Sequence, residues 1–121
     1  YSCVKNHVPM VLTGSIRDDG PLPEVIGSAY EGQGAMRGLV KKSTCVICLA
    51  TMLHTIATGN MTPSFRVMPD GTIRPVYLYT VDADEFVVNK LLDRGSLCAT
   101  TVVTNVQDFI TIVAKALKVI R

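Results

Sequence analysis

Four short polar clusters follow apolar runs along the chain, and their side chains are of the kinds that bind polar ligands. The clusters are residues 15–19, residues 51–54, Asp82 and Asn105. Carboxylates accept hydrogen bonds from hydroxyl groups, whereas threonine, histidine and asparagine both donate and accept. Each preceding apolar run has the length of a short buried strand, and ligands of open α/β sheets bind beyond the carboxyl ends of strands. The spacing therefore predicts that the four clusters converge on one ligand.

Two of these residues also allow a structural interpretation. Asp82 lies where acidic residues of dinucleotide-binding folds accept a hydrogen bond from a ribose hydroxyl, but an aspartate there can equally hold a turn or cap a helix. His54 lies beside apolar residues, where a histidine is more often structural, although a strand-to-helix junction permits a ligand contact. Residue types and spacing leave both alternatives open.

Strand-like and helix-like segments alternate over the whole length, which predicts an α/β fold with a doubly wound parallel sheet and helices on both faces. Strands are predicted at residues 8–13, 45–50, 76–81 and 99–104. Helices are predicted over residues 22–41, over residues 55–60 with Gly59 as the terminating residue, from the cap Asp84 to Gly95, and from the cap Asn105 to Ile120. The turn Pro69-Asp70-Gly71 makes residues 61–75 a loop or small surface hairpin. No glycine-rich phosphate loop follows a predicted strand, so other backbone amides or helix N-termini must replace it.

Composition limits the class of protein. The 121 residues are 48% apolar and 18% charged, which favours one compact domain over a disordered chain. The net charge is +2 and the basic residues are scattered, so a nucleic-acid partner is not expected. The chain has neither an apolar run of membrane-spanning length nor the apolar core of a signal peptide, which favours a cytoplasmic location. The first residue is Tyr1 rather than methionine, so we expect a piece of a longer chain.

The pair Cys45 and Cys48 has the spacing of a redox or zinc motif. It lies within a continuous apolar run, whereas a redox pair needs a turn and a helix N-terminus that lower the thiol pKa. No second pair completes a zinc site, so buried free thiols are the favoured interpretation and no metal is predicted.

Three motifs carry a resemblance to a known family. They are VLTGSIRDDGPLP at residues 11–23, ATMLHTIATGNM at residues 50–61 and KLLDRGS at residues 90–96. They closely resemble the C-terminal region of the archaeal and cyanobacterial-type ornithine cyclodeaminases, long labelled as a lysine-oxoglutarate reductase/saccharopine dehydrogenase (LOR/SDH) protein. The resemblance covers nearly the entire chain. It implies that residues 1–121 are all or part of a Rossmann-like, deoxyhypusine synthase-like NAD-binding domain.

The resemblance also implies an activity and its partners. Members of the family convert ornithine to proline and ammonia with a bound NAD that accepts a hydride and returns it. We therefore expect a small-molecule amino acid substrate and a homo-oligomer. The remainder of the polypeptide, or a partner subunit, is expected to complete the site.

Carried over by position, the family's NAD contacts fall on the predicted polar clusters. They are Asp19, Thr51, Met52, Leu53, His54, Asp82, Asn105 and Val106. We expect Asp82 to bind a ribose diol and the amides of residues 51–54 to meet polar cofactor atoms. Asp19 or Arg17 is expected nearer the substrate, and Arg17 and Asp18 are the candidate catalytic residues.

The sequence departs from the family at two places. The family usually has aspartate at the position of Asn105, so the change either weakens a hydroxyl contact or exchanges one helix cap for another. Residues 66–75 are longer than expected for the family, which bears on oligomer contacts. Two other functions remain open: a deoxyhypusine synthase-like transferase, which needs a lysine nucleophile at a strand end, and a non-catalytic NAD-sensing or assembly domain.

Overall fold

The structure is a computed structural model that describes residues 1–14, 23–92 and 96–120. The chain divides into two compact units, Tyr1–Leu39 and Val40–Arg121. In chain order the elements are α1 (Ser2–Lys5), α2 (Ala29–Val40), β1 (Cys45–Leu49), α3 (Met52–Met61), β2 (Phe65–Val67), β3 (Ile73–Pro75), β4 (Tyr77–Asp82), α4 (Glu85–Leu91), β5 (Cys98–Val103) and α5 (Val106–Ala116).

The predicted strand at residues 8–13 is wrong. Only Thr13 pairs there, through an isolated parallel bridge to Ile26. The amide of Gly14 donates to the Ile26 carbonyl at 3.1 Å, and the amide of Ile26 donates to the Leu12 carbonyl at 2.9 Å. Pro9 lacks an amide donor, and a strand needs a continuous partner that the described part of this unit does not offer.

Helix α2 begins at Ala29, seven residues later than the apolar spacing predicts. The hydroxyl of Ser28 accepts a hydrogen bond from the amide of Glu31 at 3.4 Å, as a residue that begins a helix does. This local bond defines the beginning of the helix better than the apolar periodicity. Gly32 lies against Thr13, since a Cβ atom at Gly32 would approach Thr13 Cγ2 to 2.9 Å.

The larger unit is built on a parallel sheet in the order β1-β4-β5. The predicted strands at residues 45–50, 76–81 and 99–104 are confirmed to within one residue at each end. Strand β1 ends before Ala50, whose φ of 52° is left-handed and breaks the extended backbone. Strand β4 includes Asp82 as its last residue, so this carboxylate is anchored on the sheet.

Helices cover both faces of this sheet. Alternate side chains of a strand point to opposite faces, so Cys48 lies on the face opposite Ile47 and Leu49. Cys48 is hydrogen-bonded to threonines of α3, and α4 contacts β4, β5 and α3, which places both helices on that face. Ile47 and Leu49 instead line an apolar cavity with residues of α5. The best-buried side chains are apolar, and each contributes about 1.5–3 kcal/mol through burial; they include Leu78, Val81, Val88 and Leu91.

Three predicted helix ends need correction or lie outside the described residues. Helix α3 begins at Met52, three residues before the predicted start, and passes through the buried Gly59 to Met61, so the predicted end at Gly59 is wrong as well. Helix α4 ends at Leu91, and the predicted stop at Gly95 lies outside the described residues. Helix α5 ends at Ala116 because Lys118 has a φ of 57° and the Val119 amide turns back to the Ala114 carbonyl at 2.9 Å, closing a C-terminal cap.

The predicted hairpin at residues 61–75 is confirmed as the antiparallel pair β2 and β3. Its turn contains Asp70 and Gly71, and Gly71 has a φ of 83°. Among the described residues, no helix has the length and apolar character to cross a membrane.

Candidate functional site

The polar residues that follow the three parallel strands lie at one edge of the larger unit. Backbone hydrogen bonds extend the sheet into the loops there. The Ala50 amide donates to the Val81 carbonyl at 2.9 Å, and the Thr104 amide donates to the Asp82 carbonyl at 3.0 Å. We call this edge, formed by residues 50–54, Asp82 and residues 104–106, the carboxyl edge.

Most of the predicted site residues lie at the carboxyl edge. The structure brings together Thr51, Met52, Leu53, His54, Asp82, Asn105 and Val106. Arg17, Asp18 and Asp19 lie outside the described residues. The convergence of the second, third and fourth predicted clusters follows from the parallel pairing, because the carboxyl ends of parallel strands share one edge.

Asp82 has a structural role that is compatible with ligand binding. Its Oδ1 atom accepts a hydrogen bond from the Asp84 amide at 2.9 Å and so holds the turn between β4 and α4. A carboxylate has two oxygens with about four acceptor positions, so one turn contact leaves capacity for a hydroxyl ligand. Asp82 is half-buried, whereas Asp84 and Glu85 are exposed. Three carboxylates therefore crowd the beginning of α4.

The beginnings of α4 and α5 are capped by side chains, as predicted. Asp84 Oδ1 accepts from the Phe86 amide at 2.9 Å, and Asn105 Oδ1 accepts from the Gln107 amide at 2.8 Å. Acidic residues follow in both first turns, Glu85 in α4 and Asp108 in α5. The Asn105 oxygen thus serves the helix, which supports the interpretation that asparagine replaces aspartate as a cap.

The beginning of α3 is different. Thr51 is the N-cap residue, but its side chain makes no capping bond; its Oγ1 lies 3.0 Å from His54 Nδ1 instead. The first turn holds no acidic residue, and the first intrahelical bond is donated by the Thr55 amide to the Thr51 carbonyl at 3.2 Å. The amides of Met52, Leu53 and His54 precede that bond, and such amides attract anions.

Two threonines missed by the sequence analysis brace this first turn. The hydroxyl of Thr55 donates to the Thr51 carbonyl, and the hydroxyl of Thr58 donates to the His54 carbonyl at 2.7 Å. Both threonines are buried. Their four-residue spacing from Thr51 and His54 was a usable signal, since threonine hydroxyls bond to the carbonyl four residues earlier in helices.

The cysteine pair does not form a redox or zinc centre. Cys45 and Cys48 are free thiols on opposite faces of β1, because an odd spacing reverses the side chain in a strand. Cys48 is buried as predicted, but Cys45 is exposed, so the prediction of a buried thiol is wrong there. Burial raises the pKa of the Cys48 thiol and outweighs hydrogen bonding with Thr55 and Thr58, which lowers it, so the thiol stays protonated at neutral pH. Among the described residues, no group of three or more His, Cys, Asp or Glu side chains could hold a metal ion.

A parallel sheet covered on both faces, with polar loops and helix starts at its carboxyl edge, defines a Rossmann-type α/β domain. Residues 1–113 match the family described as arginine dihydrolase ArgZ-like, C-terminal, Rossmann fold. The chain belongs to this family, and the resemblance and fold class predicted from the three motifs are confirmed.

Relatives of known activity share this region. An ornithine cyclodeaminase of Methanothermobacter thermautotrophicus is 50% identical over 118 residues, which are 98% of this chain and 26% of that protein. The bifunctional arginine dihydrolase/ornithine cyclodeaminase ArgZ of Synechocystis sp. is 40% identical over 118 residues, 98% of this chain and 15% of that protein. The chain thus spans about a quarter of the archaeal relative's length.

Solved structures agree with the fold. A putative LOR/SDH protein from Methanococcus maripaludis S2 has a TM-score of 0.81 and 42% identity, covering 98% of this chain and 32% of that one. The ternary complex of AgrE with ornithine and NAD+ has a TM-score of 0.78 and 38% identity, covering 98% of this chain and 16% of that one.

Proposed function

We propose that this chain is the NAD-binding portion of an ornithine cyclodeaminase-type enzyme, which converts ornithine to proline and ammonia. The observation that carries the proposal is the similarity over 98% of the chain to AgrE, whose ternary complex contains ornithine and NAD+. We also propose that the protein is cytoplasmic and forms a homo-oligomer. The rest of the polypeptide, or a partner subunit, completes the site.

The donors and acceptors of the carboxyl edge fit NAD. The pyrophosphate is anionic, and the beginning of α3 offers amides with neither a side-chain cap nor an acidic neighbour in the first turn. The carboxylates of Asp82, Asp84 and Glu85 repel phosphate at the beginning of α4 but suit ribose hydroxyls, which donate hydrogen bonds. We therefore assign the pyrophosphate to residues 52–54 and a ribose diol to Asp82.

The residues of this chain bind and orient the cofactor. NAD, when bound, supplies hydride acceptance and return, and the protein supplies position and electrostatics. Thr55 and Thr58 donate hydrogen bonds to the carbonyls of Thr51 and His54 at the beginning of α3, beside the amides that we assign to the pyrophosphate. Arg17 and Asp18 remain the proposed catalytic candidates, and Asp19 and Val106 remain proposed NAD contacts alongside Asn105.

The transferase alternative lacks its nucleophile in the larger unit. Lys90 and Lys115 lie in the last turns of α4 and α5, and Lys41 and Lys42 precede β1. Within residues 40–92 and 96–120, the lysines thus lie toward the amino ends of the strands and away from the carboxyl edge. Lys90 also lies over the Phe86 ring, with Nζ 4.0 Å from the ring centroid.

Titration calorimetry with NAD on the wild type and Asp82→Asn tests the proposal. Asparagine keeps an oxygen for the turn to Asp84 but removes the charge, so we expect NAD affinity to fall roughly tenfold to a hundredfold, as loss of a charged hydrogen bond costs about 1.5–3 kcal/mol. Asp70→Asn is the matched control, because Asp70 Oδ1 holds a similar turn by accepting from the Thr72 amide at 2.9 Å. Its affinity should be unchanged.

Two outcomes would contradict the proposal. Equal affinities of the wild type and Asp82→Asn would remove Asp82 from the site. If the folded wild type bound no NAD, either alone or within a polypeptide of ornithine cyclodeaminase length, the proposal that this domain binds NAD would be wrong. Addition of ornithine to the longer polypeptide then separates an enzyme from a sensing domain, because only the enzyme produces transient absorbance from reduced nicotinamide.

A further inference from the structure

The β2–β3 hairpin has one apolar face and one cationic face. Its register places Phe65 opposite Pro75, Arg66 opposite Arg74, and Val67 opposite Ile73. Opposed residues of an antiparallel pair share a face, and successive residues alternate. Phe65, Val67, Ile73 and Pro75 therefore form one face, which we call the apolar hairpin face, and the two arginines form the other.

One arginine of the hairpin is bonded to the domain, whereas Arg74 on the same face is exposed. The guanidinium of Arg66 donates to the carbonyl of Lys42, 24 residues earlier in the chain. The apolar hairpin face is instead open to solvent: Phe65 is 57% exposed, Val67 61% and Ile73 67%. An antiparallel sheet with one solvated face normally buries its apolar face. In this hairpin the apolar face is the exposed one.

Hydrogen bonds hold the turn of the hairpin, but its two short strands stabilise each other weakly. An isolated two-stranded hairpin is marginally stable in water, and directly opposed like charges such as Arg66 and Arg74 destabilise the pair. The hairpin lies at the amino end of β4, where the Val76 amide donates to the Ser64 carbonyl at 3.0 Å. Leu97 also lies near the hairpin, because its amide donates to Ser64 Oγ at 3.3 Å. Its side chain is exposed.

We propose that the apolar hairpin face docks against the part of an ornithine cyclodeaminase polypeptide that lies outside these 121 residues. The archaeal relative matches this chain over only 26% of its own length, so about three quarters of such a polypeptide is available to cover the face. The face is also opposite the carboxyl edge, so docking there leaves the cofactor residues accessible. This inference uses the family membership and does not depend on NAD binding.

The size of the face favours this occupant over a second copy of the chain. Four partly exposed side chains present at most a few hundred Å², whereas a stable dimer buries about 800 Å² on each partner. A covalently attached neighbour binds through a smaller surface, because the linkage supplies a high effective concentration.

Labelling of an introduced cysteine tests the inference. Val67→Cys is placed in the 121-residue chain and in a chimera in which this chain replaces the matching 118 residues of the Methanothermobacter enzyme. Mass spectrometry of the peptides separates its labelling from that of the native cysteines. We expect labelling in the chimera to be at least about tenfold slower, because a covered thiol reacts only from locally opened molecules. The matched control is Ile112→Cys, since Ile112 is about as exposed as Val67, 66% against 61%, and belongs to α5 rather than to the hairpin.

Each outcome bears on the proposal. Slower labelling of Val67→Cys that persists on dilution, with Ile112→Cys equally reactive in both proteins, supports it. Equal labelling of Val67→Cys in the two proteins overturns it. If Val67→Cys is protected from labelling in the 121-residue chain alone and the protection disappears on dilution, the proposal is also overturned. A second copy of the chain then covers the apolar hairpin face. A chimera that fails to fold even without Val67→Cys overturns the proposal as well. The apolar hairpin face would then not fit the rest of the Methanothermobacter enzyme.

Discussion

Three helices begin at the carboxyl edge, and the beginning of α3 differs from those of α4 and α5. Asp84 and Asn105 cap α4 and α5 with their side chains, whereas the Thr51 side chain contacts His54 and leaves the first amides of α3 without a side-chain cap. A capping side chain contributes typically about 1 kcal/mol to helix stability. Helix α3 thus lacks a local stabilisation that α4 and α5 have, and under the proposed function its first amides are the donors for the anionic pyrophosphate.

Among variants that compare the helix beginnings, the largest effect is expected from an acidic residue in the first turn of α3. Leu53 is 73% exposed, so Leu53→Asp leaves the core intact. We expect the NAD dissociation constant to rise about tenfold, because a carboxylate close to the pyrophosphate repels it. The free energy of unfolding should instead increase by about 0.3–1 kcal/mol, since a negative charge favours a helix N-terminus. Calorimetry and urea unfolding measure the two quantities.

Gln107→Asp provides the matched control, because Gln107 is the second residue of α5 as Leu53 is of α3. It should stabilise its helix similarly and change the NAD dissociation constant by less than about threefold, since its charge is added to a helix start that we do not assign to phosphate. Equal losses of affinity in the two variants would abolish the distinction between α3 and α5.

The second prediction compares the caps themselves. Asp84→Ala removes the acceptor of the Phe86 amide and should lower the free energy of unfolding by about 1 kcal/mol. Thr51→Ala removes no capping bond and should cost less than about 0.5 kcal/mol, because its contact with the exposed His54 is in water. Urea unfolding of both variants checks the difference. If Thr51→Ala were as destabilising as Asp84→Ala, Thr51 would be capping α3 in solution.

Local signals predicted the larger unit well. The apolar runs of β1, β4 and β5 are bounded by turn and capping residues, and the caps Asp84 and Asn105 act over only two residues, so short-range sequence contains what is needed. The ligand itself was predicted only from the family motifs, because strand-end polarity is shared by many α/β proteins.

Features that depend on distant contacts were missed. Residues 8–13 have the composition of a strand, but a strand exists only where another segment pairs with it, and here the pairing is limited to the bridge from Thr13 to Ile26. Gly59 has the composition of a helix end, yet it is buried within α3. The orientation of the hairpin depends on Arg66 reaching the Lys42 carbonyl, which no local pattern of residues 66–75 encodes.

The smallest effect is expected at Asn105, where the family usually has aspartate. Asn105→Asp keeps the acceptor for the Gln107 amide and adds a charge at a helix N-terminus, so unfolding should become harder by about 0.3–1 kcal/mol, with the gain reduced by salt. Asn105→Ala should instead lose about 1 kcal/mol, because it removes the cap. NAD affinity should change less than about threefold in Asn105→Asp, since we assign the ribose diol to Asp82 and no cofactor hydroxyl to the second carboxylate oxygen that the substitution adds. A tenfold gain in affinity would contradict this expectation, because it would mean that the added carboxylate oxygen binds a cofactor hydroxyl, which the assignment gives to Asp82 alone.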